Sequence, residues 1–596
     1  MEQKIVKNTF FKFFFPALAS SLMLSVISMT DLMIAGNFVG ETALTTISLA
    51  LPVIIYVQIV TALFGMGGAI VLSTSMGEGK REECNRIFTI STVSTLVISI
   101  VSLILGLLLL EPLILLLGGS QGPVMEQAKL YIGTLFCGMP FLMLSPVMAI
   151  FLRNDNEQKY AMFCVVSAGV GNILFSILFV TVFQGGIFGI ALGTVVAELV
   201  CCILAGIRLF NKKRMFHLVR TKPDGRIFLS IIKPGLTLTA IFLSQILLTI
   251  VVNHVLCDYG GSQGMAVYAV IKYLINFLFA MYDGVTGAIQ PMIGIYYGEK
   301  EENNIRYTVR YGFGVMFVIA AAMMLVMELL GGLLCGLFHV QTEQLIDMTV
   351  QAMRILGIYC LSTAVMTFMN AFYRCTGKEK ISFGISLLDN LVFPIAFVLL
   401  FTKGLRLGTT GVWIGLLVAG YATMIVWLLY VLMKKQGLLF LKPEQFRRPD
   451  GEFHEIYSLK LQNMETMMAD VTAYCDERKV TGRKKYFIHL VIEELVLNVV
   501  SMSKDRMKSS HYVDIRITPM GEEGTQLRIR DNLVQFNPAD VSEGDAFQTA
   551  AEMSREEDRV SELHGINTLG IGMVKKIAKD YSYRRTIGYN SFMVII

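Results

Sequence analysis

Gly287-Ala288-Ile289-Gln290-Pro291-Met292-Ile293-Gly294-Ile295-Tyr296-Tyr297-Gly298-Glu299-Lys300 carries a long apolar run down to a short charged joint, and the same chain holds an earlier copy. About 220 residues before it, Gly68-Ala69-Ile70 leads to Gly77-Glu78-Gly79-Lys80. A second pair of landmarks repeats in the same order. Phe151-Leu152-Arg153 precedes a run holding Asn172, and Phe372-Tyr373-Arg374 precedes a run holding Asn390. Each copy contains six apolar runs, so both enter the membrane in the same sense. Parallel repeats of this kind place a substrate site between the two halves.

The runs are long enough to cross a bilayer, whose core of about 30 Å needs about 20 helical residues. They fall near 13–36, 47–75, 88–117, 129–152, 160–183, 187–210, 230–256, 264–297, 311–338, 349–373, 383–402 and 411–433. Of 596 residues, 54% are hydrophobic and 16% charged, against about 25% charged in soluble domains. The deficit stops near Pro443: roughly half of all Asp and Glu lie beyond it. The organisation expected is a six-helix lobe over 1–220, a second over 221–440, a linker at 441–452 and a soluble domain over 453–596. The fold class is an all-α polytopic membrane protein joined to an α+β sandwich.

Lys and Arg crowd alternate joints: the N-terminus, Lys80–Arg86, Arg153–Lys159, Arg208–Lys233, Lys300–Arg310, Arg374–Lys380 and Lys434–Lys435. The joints between have almost none, with Lys403 and Arg406 as the exceptions. By the positive-inside rule both termini are expected in the cytoplasm, with the protein in the inner membrane. The basic start followed by a long apolar run without a cleavage site reads as a retained helix. Ten cysteines form no C-x-x-C pair, and Cys137, Cys164 and Cys360 read as core thiols. No nucleic-acid partner is expected; the partners are the bilayer and small molecules.

A carboxylate inside a span is costly and is a candidate site by default. Asp31 is the strongest, with Asn172 to complete a cation site. The second half offers Gln245, Lys272, Asn276, Asp283, Asp389 and Asn390. Lys272 and Asn276 share a helix face, and Asp283, three turns on, is expected to answer the Lys272 charge or to carry a cation.

Asp31-Leu32-Met33-Ile34-Ala35-Gly36 and Gln290-Pro291-Met292-Ile293-Gly294, followed by Tyr296-Tyr297-Gly298, resemble the D-x-x-x-x-G and Q-P-x-x-G-x-x-x-G elements of the MATE (multidrug and toxic compound extrusion) transporters. Arg153 and Arg374 stand where that family closes helices four and ten with Arg. The resemblance implies twelve helices and an antiporter in which Asp31 binds the coupling ion, Na⁺ or H⁺. Ser176 stands where the family often has a second Asp, and the seventh run lacks an acid found in sodium-coupled members.

The C-terminal region reads as a strand at Glu455–Leu461, helices at Asn463–Arg478 and Lys484–Met502, strands at Tyr512–Met520 and Gln526–Arg530, a helix at Ile571–Lys579 and two last strands. Glu494 and Asn498 share one helix face. Asp531-Asn532-Leu533-Val534-Gln535-Phe536-Asn537-Pro538 and Gly570-Ile571-Gly572 follow in order. Together they resemble the ATPase fold of histidine kinases and anti-sigma-factor kinases, with Leu533 where the pattern has Gly. The resemblance implies ATP and Mg²⁺: Asn498 on the metal, Glu494 as the activating acid, Asp531 on the adenine, and Gly570 and Gly572 on phosphate. No Walker-type loop is present, so this domain is not expected to power transport. Three functions are open: an ion-driven exporter of organic cations regulated by the tail, a receptor signalling through the tail to a cytosolic protein, and a flippase of lipid-linked sugars.

Overall fold

The computed structural model describes residues 2–117, 123–209, 216–220, 224–337, 342–435, 437–441, 443–446, 451–458, 461–480, 482–502, 511–520, 524–533 and 568–596. The chain forms two compact units, Glu2–Gln445 and Phe446–Ile596.

The first unit is helical: α1 Glu2–Ile34, α2 Glu41–Val60, α3 Gly67–Glu78, α4 Arg81–Leu108, α5 Leu110–Leu116, α6 Pro123–Cys137, α7 Met139–Asn154, α8 Gln158–Ile177, α9 Gly186–Leu209 and α10 Gly225–Gly298. The second half continues with α11 Glu302–Leu329, α12 Gly331–Leu337, α13 Glu343–Cys375, α14 Glu379–Leu387, α15 Phe393–Leu399 and α16 Gly408–Lys434. Among the described residues ten helices are long and apolar enough to cross a membrane, and α6 with α7, bent by 50°, makes an eleventh. The limb of α10 beyond Gly261, where φ of 53° breaks the helix, carries Lys272 and Asp283. A backbone that leaves its amides no water must bond them within its own helix, which is why lipid-facing text folds this way.

π-Helical turns interrupt the spans at Ala35–Val39, Thr61–Met66, Leu178–Val182, Leu388–Val392 and Leu400–Gly404. Such turns concentrate at functional positions; here one begins four residues after Asp31 and another contains Asp389. Small hydroxyls form a buried stripe on α4, namely Ser91, Thr95, Ser99 and Ser102, which lets neighbouring helices approach closely. Among the cysteines, Cys164 and Cys360 are buried as expected, but Cys137 is exposed. It lies at the break between α6 and α7, where the helix direction changes and leaves that side chain unpacked.

The segments after each half tuck back under it. Phe216 is fully buried against Phe88 and Phe151, and the His217 and Val219 amides donate to Asn85 and Thr89 at 2.9 and 3.1 Å. In the second half Phe440 is buried against Tyr373 and Tyr430. There the Tyr373 hydroxyl donates to Leu438 O at 2.7 Å, and Lys378 to the carbonyls of Leu439 and Phe440.

The second unit has α17 Leu461–Glu477, α18 Gly482–Met502 and α19 Thr568–Ile577 with strands β1 Phe453–Ser458, β2 Tyr512–Pro519, β3 Thr525–Asp531, β4 Asp580–Thr586 and β5 Tyr589–Ile595. The sheet is antiparallel in the order β1-β2-β3-β5-β4. Alternation puts Val513, Ile515, Ile517, Leu527, Ile529, Phe592 and Val594 on the face that packs against Val471, Ile488, Val491 and Leu495 of the helices. The opposite face carries His454, Asp514, Arg516, Arg528 and Arg530. Burial alone would raise the Asp514 carboxyl. The His454 hydrogen bond and the Arg528 and Arg530 guanidiniums outweigh it and hold it well below the usual carboxylate range.

Candidate functional site

Asp31 lies three residues from the end of α1, inside the first span. The Asn172 amide of α8 hydrogen-bonds its carboxyl and also donates to the Thr194 hydroxyl of α9 at 2.9 Å. The three helices thus meet on one polar cluster. Its peculiarity is an excess of acceptors: Asp31 Oδ1 and Asn172 Oδ1 are both buried without a hydrogen-bond donor among the described residues. Oxygens enclosed in this way have room to accept from a proton, a water or a cation. Ser176, the departure from the family pattern, is fully buried, and its Oγ lies 2.5 Å from where a Cβ on Gly193 would sit. It seals the α8–α9 crossing, where a carboxylate has no room.

The second half has an acid of its own. The Asp389 carboxyl faces the Thr423 hydroxyl of α16 and Tyr359 of α13, and its Oδ1 is likewise buried without a donor among the described residues. Asn390 turns away and donates to Ser386 O at 3.0 Å within its own helix. Gln245, Lys272 and Asn276 are exposed on α10; Lys272 reaches Thr249 at 3.5 Å and lies 5.8 Å from the Tyr268 ring centre.

The expected pairing of Asp283 with Lys272 does not form. Three turns carry Asp283 about 16 Å along the helix from Lys272, and there it faces Arg153 of α7 and Arg374 of α13. Its side chain is accessible yet ringed by protein, as expected of a group lining the space between the halves. Arg374 is held by Asn370 Oδ1, and Arg153 comes within 3.3 Å of a Cβ built on Gly287. The two family-pattern arginines, one from each half, thus converge on one acid.

Beside them the halves cross on glycines. A Cβ on Gly298 would lie 2.2 Å from Thr74 O and 2.9 Å from Gly77 Cα; one on Gly77 would lie 2.2 Å from Ile295 O and 2.9 Å from Gly298 Cα. Gly294 abuts Ser73, and Gly67 and Gly235 meet the backbones of Ile231 and Leu63. Gly77 and Gly298, matching landmarks of the internal duplication, are therefore residues at which its two copies touch. All of these contacts lie toward the ends that carry the basic joints.

Sequence reasoning passed over Glu198, the one acid in α9. Its carboxyl accepts the Ser145 hydroxyl of α7. The rule that singled out Asp31, a carboxylate within an apolar run, applies to it equally.

In the second unit α18 and α19 pack side by side. Asp531 is buried between sheet and helices, its Oδ1 accepting the Leu533 amide at 2.9 Å and the Asn590 side chain at 2.8 Å. Burial pushes this carboxyl up to about 6 against those two hydrogen bonds and the nearby Arg585. Gly570 and Gly572 lie in the first half of α19, with open space beside Gly572. Leu533 is buried in the apolar core. Glu494 is half-buried on α18; the Asn498 side chain and residues 534–567, which include the rest of the Asp531 motif, lie outside the described residues.

Residues 16–178 and 235–400 match the MatE family. The chain belongs to the MATE transporters. Residues 457–595 match the histidine kinase-like ATPase domain, so this MATE protein carries that domain behind its helices. Similar proteins include the multidrug export protein MepA of Staphylococcus saprophyticus, 23% identical over 74% of this chain and 97% of that one. MepA of Staphylococcus aureus is 20% identical over 70% and 92%. Among solved structures, an outward-facing multidrug resistance MATE transporter of the MOP superfamily aligns with a TM-score of 0.67 at 21% identity, covering 73% of this chain and 96% of that one. A MOP superfamily transporter from Pyrococcus furiosus, described as having a binding pocket of reversed polarity, aligns at 0.66 and 22%, covering 73% and 96%. The MATE fold is thus shared over about three quarters of the chain.

Proposed function

We propose that the chain exports organic cations in exchange for Na⁺ or H⁺, with the ion taken up at Asp31. The observation that carries this reading is the pair of buried oxygens, Asp31 Oδ1 and Asn172 Oδ1, that lack a donor. An ionised carboxylate enclosed there resists rearrangement of α1 against α8 and α9 until a cation neutralises it. The relatives' description as multidrug export proteins supports the substrate class. Asp389 offers the second half an acid to meet a positively charged substrate.

The basic joints are taken as cytoplasmic, with both termini on that side of the cell membrane. The glycine crossings and the Arg153–Asp283–Arg374 group then close the cytoplasmic face, and export requires them to part and re-form. The tail acts as a nucleotide-responsive regulator of this gate. Asp531 would meet the adenine, Gly570 and Gly572 the phosphates, and Asn498 with Glu494 the Mg²⁺ end. Tyr373 and Lys378, which grip the residues just before the linker, flank Arg374 on the chain, which gives the tail a handle on the gate.

Full-length protein in vesicles tests the reading. Ethidium efflux should depend on an imposed Na⁺ or H⁺ gradient and be lost in Asp31→Asn. Efflux that proceeds equally without any gradient rejects ion exchange.

A further inference from the structure

Glu198 has no part in the roles above, yet its surroundings are specific. The carboxyl is enclosed by protein, although part of the residue reaches the surface, and among the described residues its neighbours supply one hydroxyl, from Ser145, and no cation. Several sulfurs lie close by. Cys201 and Cys202 follow on α9, Cys164 of α8 lies beside Cys201, and the Cys202 thiol points to Met148 Sδ at 3.7 Å. Among the described residues, no Lys, Arg or His from α6, α7 or α8 acts on its carboxyl.

Chemistry separates this position from the Asp31 cluster. A hard cation such as Na⁺ needs several oxygens, which Asp31, Asn172 and Thr194 provide and which one hydroxyl among thiols and a thioether does not. A proton needs only the carboxyl. The two positions are nevertheless connected, because Thr194 and Glu198 are four residues apart on α9 and share a face. Glu198 sits one turn nearer the basic-joint end.

Its partner has a lever. Ser145 immediately precedes Pro146 inside α7, where a missing backbone rung makes a helix bend readily. Two turns further on the same helix stands Arg153, which faces Asp283. An ionised Glu198 needs the Ser145 hydroxyl as its donor; a protonated one carries a hydrogen of its own and releases that claim. Its charge is therefore felt by the helix that holds the gate arginine.

We propose that Glu198 is a second acid site of the N-terminal half, binding protons but not sodium, and that it acts on the gate through Ser145 and α7. The proposal rests on the antiporter reading for its role in transport, but its protonation is separately measurable. In the full chain, reconstituted in nanodiscs, infrared difference spectra recorded on changing pH should show a protonated-carboxyl C=O band. The band should vanish in Glu198→Gln, persist in Asp31→Asn, and be indifferent to Na⁺. Ser145→Ala should alter its frequency, since the carboxyl loses its donor. With the same proteins, ethidium efflux driven by a pH gradient should fall at least tenfold in Glu198→Gln and be restored in part by Glu198→Asp. A spectrum that Glu198→Gln and Ser145→Ala leave unchanged, or an E198Q protein with the parent's pH profile of efflux, overturns the proposal. Should the band behave as stated while Asp31→Asn exports normally, the Asp31 reading fails and this assignment survives.

Discussion

Replacing Gly298 with Ala should prise open the crossing between α3 and α10. The added Cβ would lie 2.2 Å from Thr74 O and 2.9 Å from Gly77 Cα, and both obstacles are backbone, which cannot rotate aside. Ordinary contact begins near 3.4 Å, so the helices must part by about 1 Å in the closed arrangement. Overfilling of a tight contact costs roughly 1–3 kcal/mol, which changes the ratio of closed to open molecules by about 5- to 150-fold. The open state, in which these helices are apart, pays nothing. Spin labels at Lys80 and Lys300, exposed residues beyond the ends of α3 and α10, report the separation by double electron–electron resonance after replacement of the ten native cysteines. Gly298→Ala should transfer population to longer distances. Gly314→Ala, at a site with nothing within 4 Å of the new Cβ, should leave the distribution as it was. An unchanged distribution in Gly298→Ala would refute the idea that this crossing holds the closed state.

Three other outcomes follow from the same geometry. Tyr373→Phe removes the hydroxyl that donates to Leu438 O and receives the Trp427 indole N–H; a loss of about 1.4 kcal/mol, typical for such a bond, should raise hydrogen exchange across residues 437–441 about tenfold. In the tail, Asp514 has its folded carboxyl depressed, so its stabilisation is complete above about pH 4 and disappears as pH falls toward the folded value. Asp514→Asn strands the arginines around it and should cost about 3–5 kcal/mol near neutral pH, seen as faster exchange of β2 and β3 amides, with a weaker further loss on acidification than the parent shows. Calorimetry of the full chain should detect ATP·Mg²⁺ binding that Asp531→Asn and Asn498→Ala abolish; absence of heat in the parent would leave the tail a scaffold.

Much of this was legible in the residues because lipid leaves a chain few options. Length of apolar run gave the spans, basic joints gave their alternation, and the tail's two periodicities gave its elements to within a few residues. Asp31 with Asn172 was readable because a span tolerates few polar groups. Partnership across the bundle was harder to see. Asp283 and Lys272 share a helix, which invited pairing them, whereas Asp283 meets arginines that are 130 and 91 positions away in the chain. Such encounters are set by how the halves cross, and no local pattern encodes them. The motif glycines 294 and 298 could be recognised as a pattern, but their physical purpose became visible only with Ser73, Thr74 and Gly77 opposite them. Glu198 was missed for a different reason: its span has no other landmark of the family.

The central claim is that a cation occupies the Asp31 cluster and is exchanged for the exported molecule. Purified full-length protein, loaded at high pH with Na⁺ or at low pH with H⁺, can be mixed with ethidium while ion-selective electrodes follow the unbuffered solution. Release of H⁺ or Na⁺ in proportion to the ethidium bound, absent in Asp31→Asn, is the predicted result. Ethidium that binds the parent protein fully and displaces neither ion would contradict it.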